Sequence, residues 1–443
     1  MRTFSRILLG VLVLVLVAVV GVYWWQRPLL RTGTGYAAHN ACAVTYVADR
    51  DDPESDLPDN PLVPYLRSSE LDEPGSEASL LGLLAKQRAW FTEGFGCTLA
   101  DDRPDLGEAT EVDSDANPFS DTATTTAAPE VADALAEAFG DDLPIDEQDA
   151  LGTRAVVVVK DGEIVAERYA DGFGPETVQL GWSMSKSVAS LLAGRLVHEG
   201  ELSVDDDALR DEWNDERADI TVEHLLRMTS GLSWDETYDL GTPITQMLYA
   251  EPDMAGYVTG RESAHAAGTY QQYSSGSTNL LCAVRGVTAG VQADLPRREL
   301  FAPLGLSSAV LEPDASGTPV CSSYLWATPR DWAALGQFAL EDGVWDGERL
   351  LPEGWMDWST SVVDVDETED PAYAAGWWVN ELADDTLDDP LLPADAYWAS
   401  GHDGQRIVVV PSEDLVVVRL GFTPELDEIG VSELTADLIE MLG

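Results

Sequence analysis

A serine and a lysine three residues apart, Ser183 and Lys186, form the clearest catalytic motif in the sequence. They begin a predicted helix over residues 183–196, so their side chains share one helix face about one turn apart. A serine hydroxyl needs a proton acceptor to become a nucleophile, and a lysine serves when burial or cationic neighbours lower its pKa. The positive end of the helix dipole favours a developing oxyanion at the same place. The spacing therefore indicates a nucleophile and its base, although it also fits an N-cap serine followed by a solvated lysine.

Two segments far along the chain could complete such a site. In residues 270–276, the loop Tyr-Gln-Gln-Tyr-Ser-Ser-Gly offers the phenol of Tyr273, which could share a proton with Lys186. Residues 400–405, Ser-Gly-His-Asp-Gly-Gln, lead into a predicted strand, where small residues let a substrate lie against the strand edge and its N–H groups. Alone, Tyr273 also fits a core aromatic, and the second segment also fits an ordinary turn. Together with the serine and lysine they favour catalysis.

The sequence around these motifs predicts a domain of mixed α-helices and β-strands that must position them. Residues 153–160 and 164–169 predict a hairpin, because Asp-Gly between them supplies the positive φ of a two-residue turn. The chain from residue 183 to about residue 340 is mostly helical. A second hairpin at 406–410 and 415–420 and an amphipathic helix at 431–442 follow. Strands at both ends around a helical insert predict α+β architecture.

In order and spacing, these segments resemble the serine hydrolases related to class C β-lactamases, especially the 6-aminohexanoate-dimer hydrolase branch. The resemblance covers about residues 128–443 and depends on Ser183-Met184-Ser185-Lys186, Tyr273-Ser274-Ser275, His402-Asp403-Gly404 and the flanking residues 156–162, 220–232 and 327–331. It implies a β-lactamase/transpeptidase-like antiparallel sheet flanked by N- and C-terminal helices, with a largely helical inserted subdomain.

The resemblance also implies a role for each matching residue. Ser183 would be the acyl-accepting nucleophile, and Lys186 with Tyr273 would remove its proton and return it to the leaving group. The backbone N–H groups of Ser183 and Gln405 would form the oxyanion hole. His402 to Gly404 would stand where the family keeps a Lys-Thr-Gly or His-x-Gly strand. Tyr238 would contact the leaving amine.

Two departures from the family pattern bear on the substrate. Ser275 occupies a position that is commonly asparagine, which removes a side-chain amide for a substrate carbonyl and counts against efficient β-lactam turnover. His402 replaces a lysine, which weakens recognition of a carboxylate and favours esters or neutral amides.

The motifs therefore predict a serine hydrolase that forms an acyl-enzyme on Ser183 and cleaves small amides or esters. Two alternatives stay open: a cell-wall D-alanyl peptidase or transpeptidase, and a non-catalytic binding or sensor protein on the same fold. No cofactor is expected. No metal is expected either, because the cysteine spacing matches no zinc site and there is no HExxH motif.

The N-terminus predicts a membrane anchor. Residues 7–25 are uncharged, mostly aliphatic and end in Tyr-Trp-Trp, and as a helix they would be about 28 Å long, close to the hydrocarbon thickness of a bilayer. A cleaved signal peptide would need a small-x-small site that residues 26–28 lack. We therefore expect an anchor at 1–26, an extension and acidic linker at 27–127 with a solvated stretch at 101–128, and an extracytoplasmic hydrolase domain at 128–443.

The charge of the chain excludes one class of partner. Its 80 acidic and 25 basic residues give a formal charge of −55, which would repel nucleic acid, so a small-molecule substrate and a membrane are the expected partners. Such acidity also fits adaptation to concentrated salt, where screening removes self-repulsion. A merely acidic surface is the alternative explanation.

Four cysteines allow three disulfide pairings in an oxidising compartment. Cys42 and Cys97 both precede the main domain, so we expect them to pair. Cys282 and Cys321 are then expected to be small buried hydrophobic residues without a disulfide.

Overall fold

The computed structural model describes residues 2–57, 61–120, 122–284, 289–424 and 429–443. Its strands are β1 Leu66–Glu70, β2 Gly75–Leu80, β3 Leu84–Thr92, β4 Gly96–Leu99, β5 Thr153–Lys160, β6 Glu163–Tyr169, β7 Gln179–Leu180, β8 Tyr270–Gln271, β9 Val310–Leu311, β10 Leu325–Ala327, β11 Val344–Trp345, β12 Glu348–Arg349, β13 Glu367–Thr368, β14 Trp378–Val379, β15 Tyr397–Gly401, β16 Gln405–Val410 and β17 Leu415–Gly421. Its α-helices are α1 Arg2–Tyr46, α2 Pro129–Ala138, α3 Ile145–Leu151, α4 Met184–His198, α5 Val222–Leu226, α6 Pro243–Ala250, α7 Met254–Thr259, α8 Ser275–Leu281, α9 Ala289–Pro296, α10 Ala302–Leu304, α11 Pro329–Leu340, α12 Trp355–Ser359 and α13 Val431–Leu442.

A six-stranded antiparallel sheet in the order β14-β15-β16-β17-β5-β6 supports the main domain. Successive side chains of a strand point to opposite faces. Val157 and Val159 accordingly pack in the larger hydrophobic cluster, whereas Val156 and Val158 pack in a second one. Helices α4 and α11 contact the sheet on the larger-cluster side, and α2 and α13 pack together on the other side. The predicted α+β fold is confirmed.

Both predicted hairpins and the closing helix are present. Asp161 (φ 52°) and Gly162 (φ 76°) make the turn between β5 and β6 in the left-handed conformation that a two-residue hairpin requires. Strands β16 and β17 form the second hairpin, and α13 covers the predicted residues 431–442. The insert between β7 and β14 contains helices α4 to α12, with loops and strands of two or three residues between them, as expected of a largely helical insert.

Helix α1 continues past the predicted anchor to Tyr46 and has two different halves. Large side chains of residues 7–20, such as Leu14, are exposed. The second half packs against α6 and the four-stranded antiparallel sheet β1-β2-β3-β4. Gly35 permits this approach, since a Cβ there would lie 1.8 Å from the carbonyl oxygen of Tyr249 in α6. The strands of this sheet were not predicted, and the division at residues 26 and 127 stays a prediction.

A buried carboxylate joins this N-terminal unit to the main domain. The side chain of Glu312 is fully buried and accepts hydrogen bonds from the Cys97 backbone N–H (2.6 Å) and the Trp326 indole N–H (3.1 Å). His39 Nε2 of α1 lies 2.7 Å from the same carboxylate. Because an unpaired buried carboxylate is costly, these three contacts strongly favour the docked position of α1.

The cysteines form two disulfides. The predicted pair Cys42–Cys97 is confirmed and ties α1 to β4. The expectation for Cys282 and Cys321 was wrong, since they form a second disulfide. The reason is tertiary: the chain returns after α10 so that the two Cα atoms lie 6.4 Å apart, within the range for a bridge, although 39 residues separate them.

The acidic stretch at 101–128 is not a freely solvated linker. Its described residues contain one short 3-10 turn and otherwise little regular structure, but Leu106 and Phe119 are buried, and the Asn117 amide donates to Asp331 at 2.7 Å. A few well-placed side chains therefore anchor a segment whose average composition is that of a linker.

Candidate active site

Ser183 lies at the junction of β7 and α4. The residue before it, Trp182, has a left-handed φ of 48°, which turns the chain sharply into the helix. Ser183 occupies the N-cap position, yet its hydroxyl makes no capping hydrogen bond. Its Oγ instead accepts a hydrogen bond from Lys186 Nζ at 3.0 Å. The two side chains are therefore in hydrogen-bond contact, and the hydroxyl does not cap the helix as the N-cap alternative expected; their catalytic roles stay a prediction.

Lys186 is buried, with 2% of its surface exposed. Besides Ser183, its Nζ donates to Ser275 Oγ (2.9 Å) and to the Ser322 carbonyl (3.1 Å). In the part of the chain that the structure describes, no carboxylate lies within ion-pair distance of this nitrogen. Burial lowers the pKa of Lys186 to about 8, and the more distant charge of Glu236 acts in the opposite direction. A substantial fraction is therefore neutral in mildly alkaline solution.

Tyr273, the third predicted catalytic residue, lies next to Lys186. Lys186 Nζ lies 4.6 Å from the centre of the Tyr273 ring, and the Ser183 side chain is close enough to the phenol to lower its pKa, against the effect of burial. Trp378 stacks on the ring at 5.6 Å, and the Tyr273 backbone N–H donates to Asp370 at 3.0 Å. Burial raises the pKa of Tyr273 well above its usual value, so the ring carries a neutral phenol.

Glu236 is a member of this cluster that the sequence did not single out. Ser275 Oγ donates to Glu236 Oε1 at 2.5 Å, and the Ser275 backbone N–H donates to Oε2 at 2.9 Å. The Trp234 indole N–H also donates to Oε2 at 2.5 Å. The serine that replaces the family's asparagine thus bridges Lys186 to a carboxylate. The only sequence signal was its place two residues before Tyr238.

The turn between β15 and β16 lies beside the nucleophile. A Cβ on Gly401 would lie 2.1 Å from the Gly181 carbonyl oxygen, so the two backbone segments touch. Gln405 pairs with Gly401 across the turn, and its side chain is tied to Gly421 by hydrogen bonds at 2.6 and 3.1 Å. Gly404 has a φ of 86° and completes the turn. This arrangement fixes the Gln405 backbone on the strand pair that contacts the loop before Ser183.

Aromatic side chains and α1 form a pocket next to Ser183. Tyr238 stacks on His402 with ring centres 4.6 Å apart, and Trp182 meets both rings edge to face at 6.4 and 5.7 Å. Burial raises the pKa of Tyr238, so its phenol stays neutral. The pocket has a volume of about 180 Å³. Its lining residues are Thr32, Gly33, Tyr36, Leu57, Val63, Leu66, Trp182, Tyr238, Leu240, Thr245, Tyr249 and His402.

The predicted site residues thus converge from four parts of the chain. Ser183 and Ser275 both contact Lys186 Nζ, and the Tyr273 ring lies 4.6 Å from it, whereas His402 and Tyr238 line the neighbouring pocket. Over the described ranges, no group of three or more His, Cys, Asp and Glu side chains is placed to hold a metal ion.

Residues 132–430 match the beta-lactamase family. The chain belongs to this family. Among characterised proteins it is 26% identical over 310 residues to the 6-aminohexanoate-dimer hydrolase of Paenarthrobacter ureafaciens, covering 62% of this chain and 74% of that protein. The family and this relative identify the chain as a serine hydrolase.

Solved structures of the family share the fold. A putative 6-aminohexanoate-dimer hydrolase from Bacillus anthracis matches with a TM-score of 0.54 and 18% identity, over 77% of this chain and 87% of that one. A putative beta-lactamase from Bacteroides dorei matches with a TM-score of 0.55 and 16% identity, over 71% of this chain and 100% of that one. At these identities the likeness concerns the fold.

Proposed function

We propose that the protein forms an acyl-enzyme on Ser183 and hydrolyses small, uncharged amides or esters. The observation that carries this proposal is the 3.0 Å contact between Ser183 Oγ and the Nζ of a buried lysine whose pKa falls to about 8. In its neutral form Lys186 accepts the hydroxyl proton as Ser183 attacks a substrate carbonyl.

Tyr273 gives the proton a route to the leaving group. Its raised pKa disfavours a phenolate, so Lys186 is the group that holds the proton after attack. The phenol lies beside Ser183 and Lys186 and is proposed to pass a proton to the departing amine or alcohol while recovering one from the lysine. Water then attacks the acyl-enzyme by the reverse sequence, which regenerates Ser183.

The backbone N–H groups of Ser183 and Gln405 are the proposed oxyanion donors. Close contact between Gly401 and the Gly181 carbonyl supports this role, because it holds the Gln405 turn against the nucleophile loop. Donors fixed in this way stabilise the negative charge of a tetrahedral intermediate without having to reorganise during the reaction.

The pocket supports an uncharged substrate of modest size. Its walls are mainly aromatic and aliphatic side chains, and His402 lies where the family pattern has a lysine. Tyr238 is proposed to contact the leaving amine, because its hydroxyl has no hydrogen-bond partner among the described residues. The name of the Paenarthrobacter relative points to a linear amide as the first substrate to try.

We also propose that the exposed half of α1 anchors the protein in a membrane, with the hydrolase domain outside the cytoplasm. The segment Arg6–Tyr46 is long and apolar enough to cross a membrane. The exposure of its aliphatic side chains supports a lipid environment, since soluble proteins rarely expose such a continuous apolar surface.

A fluorophosphonate probe tests the hydrolase directly. We expect the full-length protein in detergent to gain one adduct by intact mass, mapped by peptide mass to Ser183. Ser183→Ala should abolish the adduct, and Ser69→Ala, a change at an exposed serine in β1, should not. No adduct at low or molar salt would instead support a binding or sensor protein.

Substrate panels then distinguish the remaining enzyme classes. We expect turnover of p-nitrophenyl esters or linear amides to exceed that of a β-lactam and of a D-alanyl peptide. Preferred turnover of the D-alanyl peptide would support the cell-wall alternative. Assays in low and molar salt also test the predicted salt adaptation, which flat activity and melting temperature would contradict.

A further inference from the structure

The turn between β2 and β3 exposes an unusual run of leucines. Leu81, Leu83 and Leu84 are 59%, 84% and 37% exposed, respectively, and Gly82 between them has a φ of 78°. Turn residues facing water are normally small or polar. Tyr65, 53% exposed, adjoins them because the Leu81 backbone N–H donates to its carbonyl at 2.9 Å.

This turn is held against the aromatic end of the apolar half of α1. The backbone N–H of Ala85, which follows the exposed leucines, donates to the hydroxyl oxygen of Tyr23 at 3.1 Å. The next residues of α1, Trp24 and Trp25, are 61% and 77% exposed. Tyrosine and tryptophan favour the boundary between the headgroups and the acyl chains, so this contact places the leucines at the same depth.

We propose that the membrane-docking surface, defined as Leu81, Leu83, Leu84, Tyr65, Trp24 and Trp25, inserts into the lipid boundary beside the helix that spans the bilayer. The inference rests on the membrane span given under the proposed function. Its occupant is the lipid bilayer, because the surface is continuous with the apolar helix and has the aliphatic and aromatic composition of interfacial segments.

A second attachment point would fix the orientation of the catalytic pocket. A single helix would let the domain rotate and tilt, whereas a helix and an inserted turn together hold it in one pose. Tyr36, which lines the pocket, follows Trp25 by about 16 Å along the helix axis. The pocket would thus stay close to the membrane surface, where amphiphilic amides or esters concentrate.

The docking is tested with a fluorescent probe on single cysteines in the full-length protein. All four natural cysteines are in disulfides, so a new cysteine can be labelled selectively. Leu83→Cys carries the probe on the turn, Leu14→Cys reports the span, and Leu391→Cys, on an exposed leucine between β14 and β15, is the matched control. The proteins are placed in phosphatidylcholine vesicles that contain nitroxide-labelled phosphatidylcholine.

We expect nitroxides near the headgroup to quench the fluorescence of the probe at position 83 strongly, and nitroxides near the end of the acyl chain to quench the probe at position 14. The fluorescence of the probe at position 391 should equal that measured without nitroxide. Quenching at 14 with none at 83 would overturn the docking and leave the span intact. Absence of quenching at both would overturn both. Shielding of 83 from a water-soluble quencher without quenching by lipid would indicate a second copy as the occupant and would also overturn the proposal.

Discussion

The surroundings of two buried cationic side chains, Lys186 and Arg330, shift their pKa values in opposite directions. Arg330 Nη2 and Nε donate to the two oxygens of the buried Glu167 at 2.8 and 3.1 Å. Burial alone would lower the pKa of Arg330, but the hydrogen bonds and charge of Glu167 outweigh it and raise the pKa. Lys186 has two hydroxyls and a carbonyl as partners, and its pKa falls to about 8.

The difference shows that the direct partner of a buried cation decides whether it stays charged or can lose its proton. A carboxylate in direct contact keeps Arg330 permanently protonated where α11 meets the central sheet. At the active site, Ser275 stands between Lys186 and Glu236, so the carboxylate influences the lysine without forming an ion pair. The lysine remains able to lose its proton in the range where a base is needed.

The largest effect is expected from Lys186→Met, which removes the proposed base. We expect kcat/KM for a p-nitrophenyl ester to fall roughly 10²–10⁴-fold, while the circular dichroism spectrum is retained. Lys160→Met is the matched control, since this lysine lies at the end of β5 and contacts the Glu413 carbonyl. A Lys186→Met enzyme with normal turnover would remove the lysine from the mechanism.

Arg330→Met should weaken the fold and leave the chemistry alone. The substitution leaves the buried carboxylate of Glu167 without its cationic partner. We therefore expect the free energy of unfolding to fall by about 3–5 kcal/mol in guanidinium titrations. The double variant Arg330→Met/Glu167→Gln should lose less, because it leaves no unpaired charge. Equal losses in the single and double variants would show that the ion pair is not the cause.

The sequence allowed prediction of the parts of the site that local geometry positions. Ser183 and Lys186 are three residues apart on one helix, so forming α4 is enough to bring them together. The β5–β6 hairpin followed from its Asp-Gly turn and valine-rich strand. The loop at 270–276 made Tyr273 a candidate and the family resemblance gave it a role, and the structure places its ring 4.6 Å from Lys186 Nζ.

Parts that depend on long-range packing were not predictable. Glu236 is one of 80 acidic residues, and nothing in its local sequence shows that its loop meets α8, 39 positions later. The Cys282–Cys321 bridge likewise depends on how the chain returns after α10. In the sheet β1–β4, the strand β1 is largely exposed, so its residues lack the apolar alternation by which a half-buried strand is identified.

The pH dependence of the unfolding free energy gives a finer test of the lowered pKa of Lys186. The pKa of Lys186 falls from 10.5 in the unfolded chain to about 8 in the folded protein, so between these values the unfolded chain binds more protons. Stability from this group therefore rises with pH, by about 3 kcal/mol between pH 8 and 10.5. We expect the difference in unfolding free energy between the wild type and Lys186→Met to change by this amount in favour of the wild type. A constant difference across the range would show that the lysine is not desolvated.

The smallest effect concerns the carboxylate behind Ser275. Activity should rise with pH as Lys186 loses its proton, which gives kcat/KM an acidic limb governed by the pKa of the lysine. Burial lowers this pKa and the charge of Glu236 partly restores it, so Glu236→Gln should move the limb to lower pH. Asp235→Asn is the matched control, because this exposed neighbour bonds only Thr237 among the described residues and should leave the limb in place. A limb that stays in place or moves to higher pH in Glu236→Gln would mean that the carboxylate does not act on the lysine.

At high pH Lys186 is neutral in both enzymes, so a comparison of their rates there no longer depends on the pKa of the lysine. Because the amide of Glu236→Gln can still accept the hydrogen bond of Ser275, any remaining rate difference measures how much Glu236 contributes by positioning Ser275.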